Sequence, residues 1–320
     1  MTSSFERRRP RVRGGALVLV IAILAALGGC ATASSTGSTT AVSSGAGAFP
    51  VKVTTAGGTT RIARRPVAIM CLSPSSTEML YAIGAGPQVK AVDQYSDYPP
   101  GTPRTTLSAL TPNIEAIVAR KPDLVIVSQN TDGMAAKLAA FSIPVLILPA
   151  PTSVGGALSQ YDELGLATGH LAQARRETAS LRTQLRQIEA SVPAHPQSIS
   201  YYYELDQTYY SVTSDTFIGN LLGLLGMRSI ADAASGAAAA GGYPQLSAEF
   251  IVKSNPAYII LADSQCCGQS VATVRARPGW SKLSAVTLGH VVIVPDDIAS
   301  RWGPRIIDLL RIVLSALKRS

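Results

Sequence analysis

The chain has only three histidines in 320 residues, and none lies near another. His170 opens a helical stretch, His195 lies among prolines, and His290 precedes an apolar run. No pair has the spacing of a shared metal site, and all three are expected at the surface. There is no nucleophile elbow, phosphate-cradling glycine loop or paired-histidine motif, which removes the common sequence signatures of an enzyme or a cofactor site. Charged residues are scarce, at 15% of the chain. The apolar run Ala16 to Leu27 has twelve residues, well short of the roughly 20 that a membrane-spanning helix needs.

What precedes and follows that run gives it a different meaning. Arg7, Arg8, Arg9, Arg11 and Arg13 stand before it, and Leu27-Gly-Gly-Cys30 closes it. This order resembles a bacterial lipoprotein signal, which implies a leader over 1–29 and a lipid on Cys30. Without Glu6 and the five arginines of that leader, the net charge falls from +8 to +4, with 23 basic and 19 acidic side chains left. That balance carries no argument for nucleic-acid binding. Residues 30–48 are almost all Ser, Thr, Gly and Ala, a composition that cannot bury apolar surface and reads as a flexible tether.

The body contains an internal repeat. Asn113 to Ile126 aligns without gaps with Ser247 to Ile260, and Glu115/Glu249, Ile117/Ile251, Val118/Val252, Pro122/Pro256 and Ile126/Ile260 are identical. In each copy a polar cap precedes a short amphipathic helix, a proline ends it, and a strand-type run follows. The flanks match as well. A strand at Val67 to Leu72 and a helix at Thr77 to Ile83 precede the first copy. Strands at Ile199 to Leu205 and Tyr209 to Val212, then a helix at Phe217 to Leu225, precede the second. Strands at Val145 to Leu148 and Val291 to Val294 follow the two copies. Alternation of this kind predicts two α/β lobes with parallel sheets, over 49–152 and 197–320.

Between them, 153–196 has no strand-like run. Leu171, Ala174, Thr178, Leu181, Leu185 and Ile188 recur at spacings of three and four, one apolar face of a helix about 30 Å long, able to run across both lobes. Such a connector predicts a stiff hinge and a small closing motion.

Leu72-Ser-Pro-Ser-Ser-Thr-Glu-Met-Leu80, Tyr95-Ser-Asp-Tyr-Pro-Pro100, Asn113 to Val127, Pro244 to Glu249 and Ser300-Arg-Trp-Gly-Pro-Arg-Ile-Ile307 together resemble the periplasmic proteins that bind cobalamin and ferric siderophores for ABC importers. The resemblance runs from Val67 to Leu317. It implies two Rossmann-like lobes joined by a long α-helix, a monomer with no cofactor and no catalysis, and a ligand held between the lobes. It also implies docking of Glu115 and Glu249, one on each lobe, onto a permease dimer. Taken alone, a glutamate in a first helical turn is only a good partner for the helix dipole.

The resemblance places Tyr95, Tyr243, Asp297 and Arg301 in the ligand cleft. The tyrosines offer flat faces to a macrocycle, and Arg301 either reaches ligand oxygens or pairs with Asp297. Tryptophans that the family carries in two cleft loops are replaced near Leu110 and Ser128 by small or aliphatic residues. Among Tyr201, Tyr202 and Tyr203, strand alternation sends Tyr202 to the core and leaves the other two open. Once Cys30 is set aside, Cys71, Cys266 and Cys267 remain, and Cys266 and Cys267 are either a vicinal disulfide or two thiols. Three functions follow in order: receptor for a corrinoid of cobalamin type, receptor for a ferric siderophore, or a lipoprotein that senses or scaffolds.

Overall fold

The computed structural model describes residues 49–194 and 198–319, so the expected leader, tether, Cys30 and His195 lie outside the described residues. A hairpin of β1 (Val51–Thr55) and β2 (Gly58–Ile62) opens this body and was not foreseen from the sequence. The N-terminal lobe then alternates β3 (Ile69–Leu72), α1 (Pro74–Ala82), β4 (Val89–Val92), α2 (Ile114–Ala119), β5 (Leu124–Val127), α3 (Met134–Ala139) and β6 (Val145–Ile147). All pairings in its sheet are parallel, in the order β4-β3-β5-β6. β3 and β5 are buried at every position, as expected of strands covered on both faces.

The hairpin covers the edge of this sheet. Thr55 Oγ1 donates to the Ile147 carbonyl at 2.6 Å and Thr60 Oγ1 to the Val145 carbonyl at 2.7 Å. A Cβ on Gly57 would stand 2.6 Å from the Ile147 side chain, so glycine permits the close approach. An otherwise open edge strand is thereby protected.

The connector holds the expected helix and a second one before it. α4 (Val154–Thr168) ends at Gly169, whose φ of 76° closes the helix in the left-handed region, and α5 (Leu171–Glu189) turns back against it. A Cβ on Gly165 would meet that of Ala174 at 2.6 Å, so the two helices touch almost backbone to backbone. Of the expected apolar face of α5, Ala174, Thr178, Leu181, Leu185 and Ile188 are buried and Leu171 is half-buried.

The C-terminal lobe runs through β7 (Ile199–Glu204), α6 (Phe217–Gly223), β8 (Met227–Ser229), α7 (Ala248–Ser254), β9 (Tyr258–Leu261), α8 (Ser264–Cys267), α9 (Val271–Ala276), α10 (Ser284–Thr287), β10 (Val291–Ile293), α11 (Asp296–Ser300) and α12 (Ile306–Leu317). Its sheet is parallel in the order β10-β9-β7-β8. With β7 matched to β3, this is the strand order of the first lobe, so the sequence repeat extends to the topology. The expected strand at Tyr209 to Val212 is reduced to one antiparallel bridge, between Tyr210 and Gln245. Tyr209 has φ +71°, and the segment's amides at Ser211 and Thr213 bond to Pro244 and Gly242 instead of to a sheet neighbour.

The lobes share one core. α4 lies on β1 and α1 of the first lobe and reaches α6 of the second, while α12 packs on α5. Ile69, Cys71, Tyr161, Tyr201, Tyr203, Leu221 and Leu310 belong to a single apolar cluster.

Candidate ligand cleft

Chain segments leaving the carboxyl ends of the strands meet between the lobes, where parallel α/β sheets place their ligands. From the first lobe come Ser73-Pro74-Ser75 after β3, the 93–98 loop after β4 and Ser128 after β5. From the second come α11 and Arg301-Trp302. Together they enclose a cavity of about 270 Å³ lined by Ser73, Ser75, Tyr95, Ser128, Asp297 and Arg301, among others. A larger cavity, about 800 Å³, lies on the C-terminal lobe around Ser214, Arg228 and Gly242 and takes no residue from the first lobe.

An ion cluster forms the floor of the cleft. Glu78, fully buried on α1, accepts from Arg305 Nη2 at 2.5 Å and Nε at 3.0 Å and from Arg301 Nη1 at 3.2 Å. Arg301 Nη1 also reaches Asp97 Oδ1 at 2.8 Å, and its Nη2 reaches the Tyr95 carbonyl at 2.9 Å and Asp297 Oδ1 at 2.6 Å. Glycine at 303 lets this segment sit down on α1, since a Cβ there would be 2.8 Å from Glu78 Oε2. Trp302 joins in, its Nε1 donating to Gln160 of α4 at 2.8 Å. The Arg305 guanidinium lies 4.3 Å from the centroid of the Tyr98 ring.

This geometry revises the expectation for Arg301. Of its five N–H donors, four are engaged within the protein. The Asp297 pair exists, but as one arm of a wider network. Glu78 and Arg305 were missed although both stand inside stretches that carried the family resemblance. The available signal was one carboxylate and one extra arginine set among small and apolar neighbours.

Burial pushes the Asp297 carboxyl up, with Arg301 pulling it down and Asp97 adding repulsion. Asp97 feels a desolvation that would raise it, but its bond to Arg301 and that charge hold it below the ordinary range. Tyr95 is 54% exposed at the mouth. Tyr243 is also exposed but is not among the residues that line the cavity. Tyr201, Tyr202 and Tyr203 are all fully buried, with Tyr203 Oη donating to the Ala299 carbonyl at 3.0 Å, so none offers a face to a ligand.

Glu115 and Glu249 stand exposed in the first turns of α2 and α7. Asn113 Oδ1 and Ser247 Oγ cap these helices, accepting from the amides of Ala116 and Phe250 at 2.8 and 3.1 Å. The own backbone amide of Glu249 and the Ser247 hydroxyl hold the Glu249 carboxyl low.

Among the described residues no His, Cys, Asp and Glu group is arranged to hold a metal. Contrary to the surface expectation, His170 and His290 are half-buried. His290 stacks on Tyr258 at 4.5 Å, and His170 is held by polar contacts to Arg65 and Thr168, both at 3.2 Å. Cys71 is buried and its thiol is pushed up to about 12, chiefly by that burial. Cys266 and Cys267 are joined as a disulfide on α8, whose first amides are held by Asp296.

Residues 69–298 match the family described as periplasmic binding protein. The chain belongs to that family. Members of this periplasmic binding protein family are the non-enzymatic, extracytoplasmic substrate-binding components of ABC transporters and work with a permease. A relative from Bacillus subtilis, the uncharacterized ABC transporter substrate-binding lipoprotein YvrC, is 29% identical over 81% of this chain and 83% of its own. A cobalamin-binding protein from Halobacterium salinarum is 29% identical over 81% and 72%. Among solved structures, the periplasmic vitamin B12 binding protein BtuF of Vibrio cholerae superposes with a TM-score of 0.65 at 25% identity, covering 79% of this chain and 97% of that one. An Fe³⁺-hydroxamate transport protein from Saccharomonospora viridis gives 0.67 at 18%, over 84% and 99%, and so shares the fold.

Proposed function

We propose that this periplasmic binding protein captures a corrinoid of cobalamin type between its lobes and delivers it to the permease dimer of an ABC importer. The observation that carries the reading is a single cavity built by both lobes at the carboxyl ends of their strands, with Tyr95 exposed at its mouth. At about 270 Å³ the cavity is smaller than the roughly 300–1,000 Å³ of common ligand pockets, so a macrocycle lies across the mouth rather than within it. Tyr95 then supplies a flat face, and Tyr98, held over Arg305, supplies a second. On the other lobe Tyr243, exposed outside the cavity, would offer a further ring.

A ferric siderophore is the alternative. It is favoured by Leu110 and Ser128, which stand near the positions of the family's cleft tryptophans: the first is exposed, and the second lines the cavity where a larger ring would fill it. Lipidation at Cys30 would tether the body to the membrane, and Glu115 and Glu249 on equivalent helices would meet the two permease subunits. The Cys266–Cys267 disulfide would stiffen the loop beside α11.

Titration with cobalamin, cobinamide and ferric siderophores tests the ligand. Trp302 lines the cleft and reports on it, whereas Trp280 is fully buried in the C-terminal lobe. Corrinoid binding that changes Trp302 emission supports the reading, and binding of ferric chelates alone moves the protein to the alternative. Changing both Glu115 and Glu249 to Ala should leave affinity within measurement error, lower stability only slightly and abolish uptake. Unaltered uptake would instead favour a sensing or scaffolding lipoprotein.

A further inference from the structure

This inference rests on the cleft as the ligand site and concerns which chemical class of ligand it accepts. The charged side chains that line the cavity are Asp297 and Arg301. Those in contact with them are Glu78 and Asp97, and Arg305 follows through Glu78. Three carboxylates thus face two guanidiniums. Behind them Asp93 is buried, its carboxyl raised mainly by desolvation, with one side-chain oxygen lacking a donor.

The distribution of exposure matters more than the count. Both cations are sunk in the floor, with the Arg301 side chain only 8% exposed and its Nη donors all engaged. The groups that reach solvent are Asp97 and Asp297, with side chains 43% and 38% exposed, one from each lobe and both bonded to Arg301. A ligand entering the cleft therefore meets acceptors and negative potential, not free cationic donors. To bind an anion, Arg301 would have to give up a carboxylate already in place, which leaves that carboxylate unpaired next to the incoming charge. Arginine clusters recognise anions only where their forks are unoccupied.

We infer that the cleft selects ligands without net negative charge, which present amide N–H donors or a cationic group to Asp97 and Asp297. Corrinoids with peripheral amides and cationic ferric hydroxamates fall in that class. Ferric catecholates and carboxylate chelates fall outside it, which divides the siderophore alternative into an accepted part and a rejected part.

A test without any ligand uses Trp302. Of the two tryptophans, only Trp302 lines the cleft, and Trp280 is fully buried. Collisional quenching at constant ionic strength, with each ion scaled to its quenching of free N-acetyltryptophanamide, should then be at least about twofold stronger with caesium than with iodide, and Asp97→Asn with Asp297→Asn together should erase the difference. Equal or stronger scaled quenching by iodide overturns the inference.

Titration with cobinamide, ferrioxamine B and ferric enterobactin adds the ligand side. The trianionic enterobactin complex should bind at least about tenfold more weakly than any probe that binds. The double variant should narrow that gap by weakening the cationic probes. Tightest binding of the enterobactin complex also overturns the inference. A protein whose Trp302 prefers caesium but which binds no corrinoid or chelate keeps the charge assignment and loses the proposed function.

Discussion

Two buried clusters of arginine and carboxylate sit at the carboxyl ends of the two sheets, and they are balanced in opposite ways. Between the lobes, one buried acid, Glu78, receives two arginines, and the surplus carboxylates Asp97 and Asp297 reach water. Inside the C-terminal lobe, one arginine, Arg277, forks onto Glu204 at 2.5 and 2.6 Å and donates to Gln269 at 2.7 Å. The surplus acid there, Asp263, is fully buried, and neither of its oxygens has a donor. Arg277 is further held over Trp280, 4.6 Å from the ring centroid, and near Tyr209. An excess carboxylate that faces solvent can remain ionised and meet a ligand. One that is sealed in keeps its proton to higher pH.

The interlobe cluster should give the largest effect. Its bonds join residues 223 and 227 positions apart, so it fastens the lobes as well as filling a polar site. Glu78→Ala removes the acceptor of two guanidiniums and leaves Arg305 without an acid among its hydrogen-bond partners. A loss of about 3–5 kcal/mol is expected, the usual cost of removing one partner of a buried pair. Glu78→Gln keeps the shape and should lose less. Urea unfolding measures both, and a loss below about 1 kcal/mol for the alanine variant would mean that the shared apolar core alone holds the lobes.

The second cluster should respond to pH. Burial first, and the charge of Glu204 second, push the Asp263 carboxyl up to about 7, whereas in the unfolded chain an aspartate titrates near 4. Between those values the folded protein holds a proton that the unfolded chain has released. The stabilising contribution is therefore complete below about pH 4 and is lost as pH rises to about 7, with a slope no steeper than about 1.4 kcal/mol per pH unit for one proton. Asp263→Asn should flatten this slope and leave the variant more stable than the parent at pH 8. Denaturant midpoints across pH 4.5 to 8 decide the matter, and an unchanged slope would place the proton elsewhere.

Both clusters show how far the sequence could be read. The doubled pattern around Glu115 and Glu249 was legible because each copy repeats cap, short helix, proline and strand locally. That local order also determined the number of lobes and the succession of strands and helices, but not the order of strands within each sheet. Tyr95, Asp297 and Arg301 were placed near one another by motif, but the pairing of Arg301 with Glu78 was not, because no local period links positions so far apart. The loop at Tyr209 to Val212 was misread for a related reason. Its residues favour strands, but tertiary bonds to Pro244 and Gly242 and a left-handed Tyr209 decide the backbone. The split of the connector had a visible signal, Gly169 followed by His170 between two helical runs, as did the capping hairpin, with Gly57-Gly58 between two runs rich in threonine and valine.

The smallest stability effect should come from the rim of the first cluster. Asp97 and Glu78 bind the same Arg301 Nη1, at 2.8 and 3.2 Å, but Glu78 is fully buried and also holds Arg305, whereas Asp97 is partly exposed. On distance alone Asp97 would count for more. In partly exposed surroundings, however, screening by water cuts the Coulomb gain, and an amide can still accept from the guanidinium. Asp97→Asn should therefore cost no more than about 1 kcal/mol, less than Glu78→Gln despite the shorter bond. Its loss should shrink in 1 M salt, where the charge is screened, while that of Glu78→Gln should hardly change. If the two variants lose equal stability and share one salt dependence, exposure does not separate rim from floor, and the rim carboxylate belongs to the lock between the lobes rather than to the surface that meets the ligand.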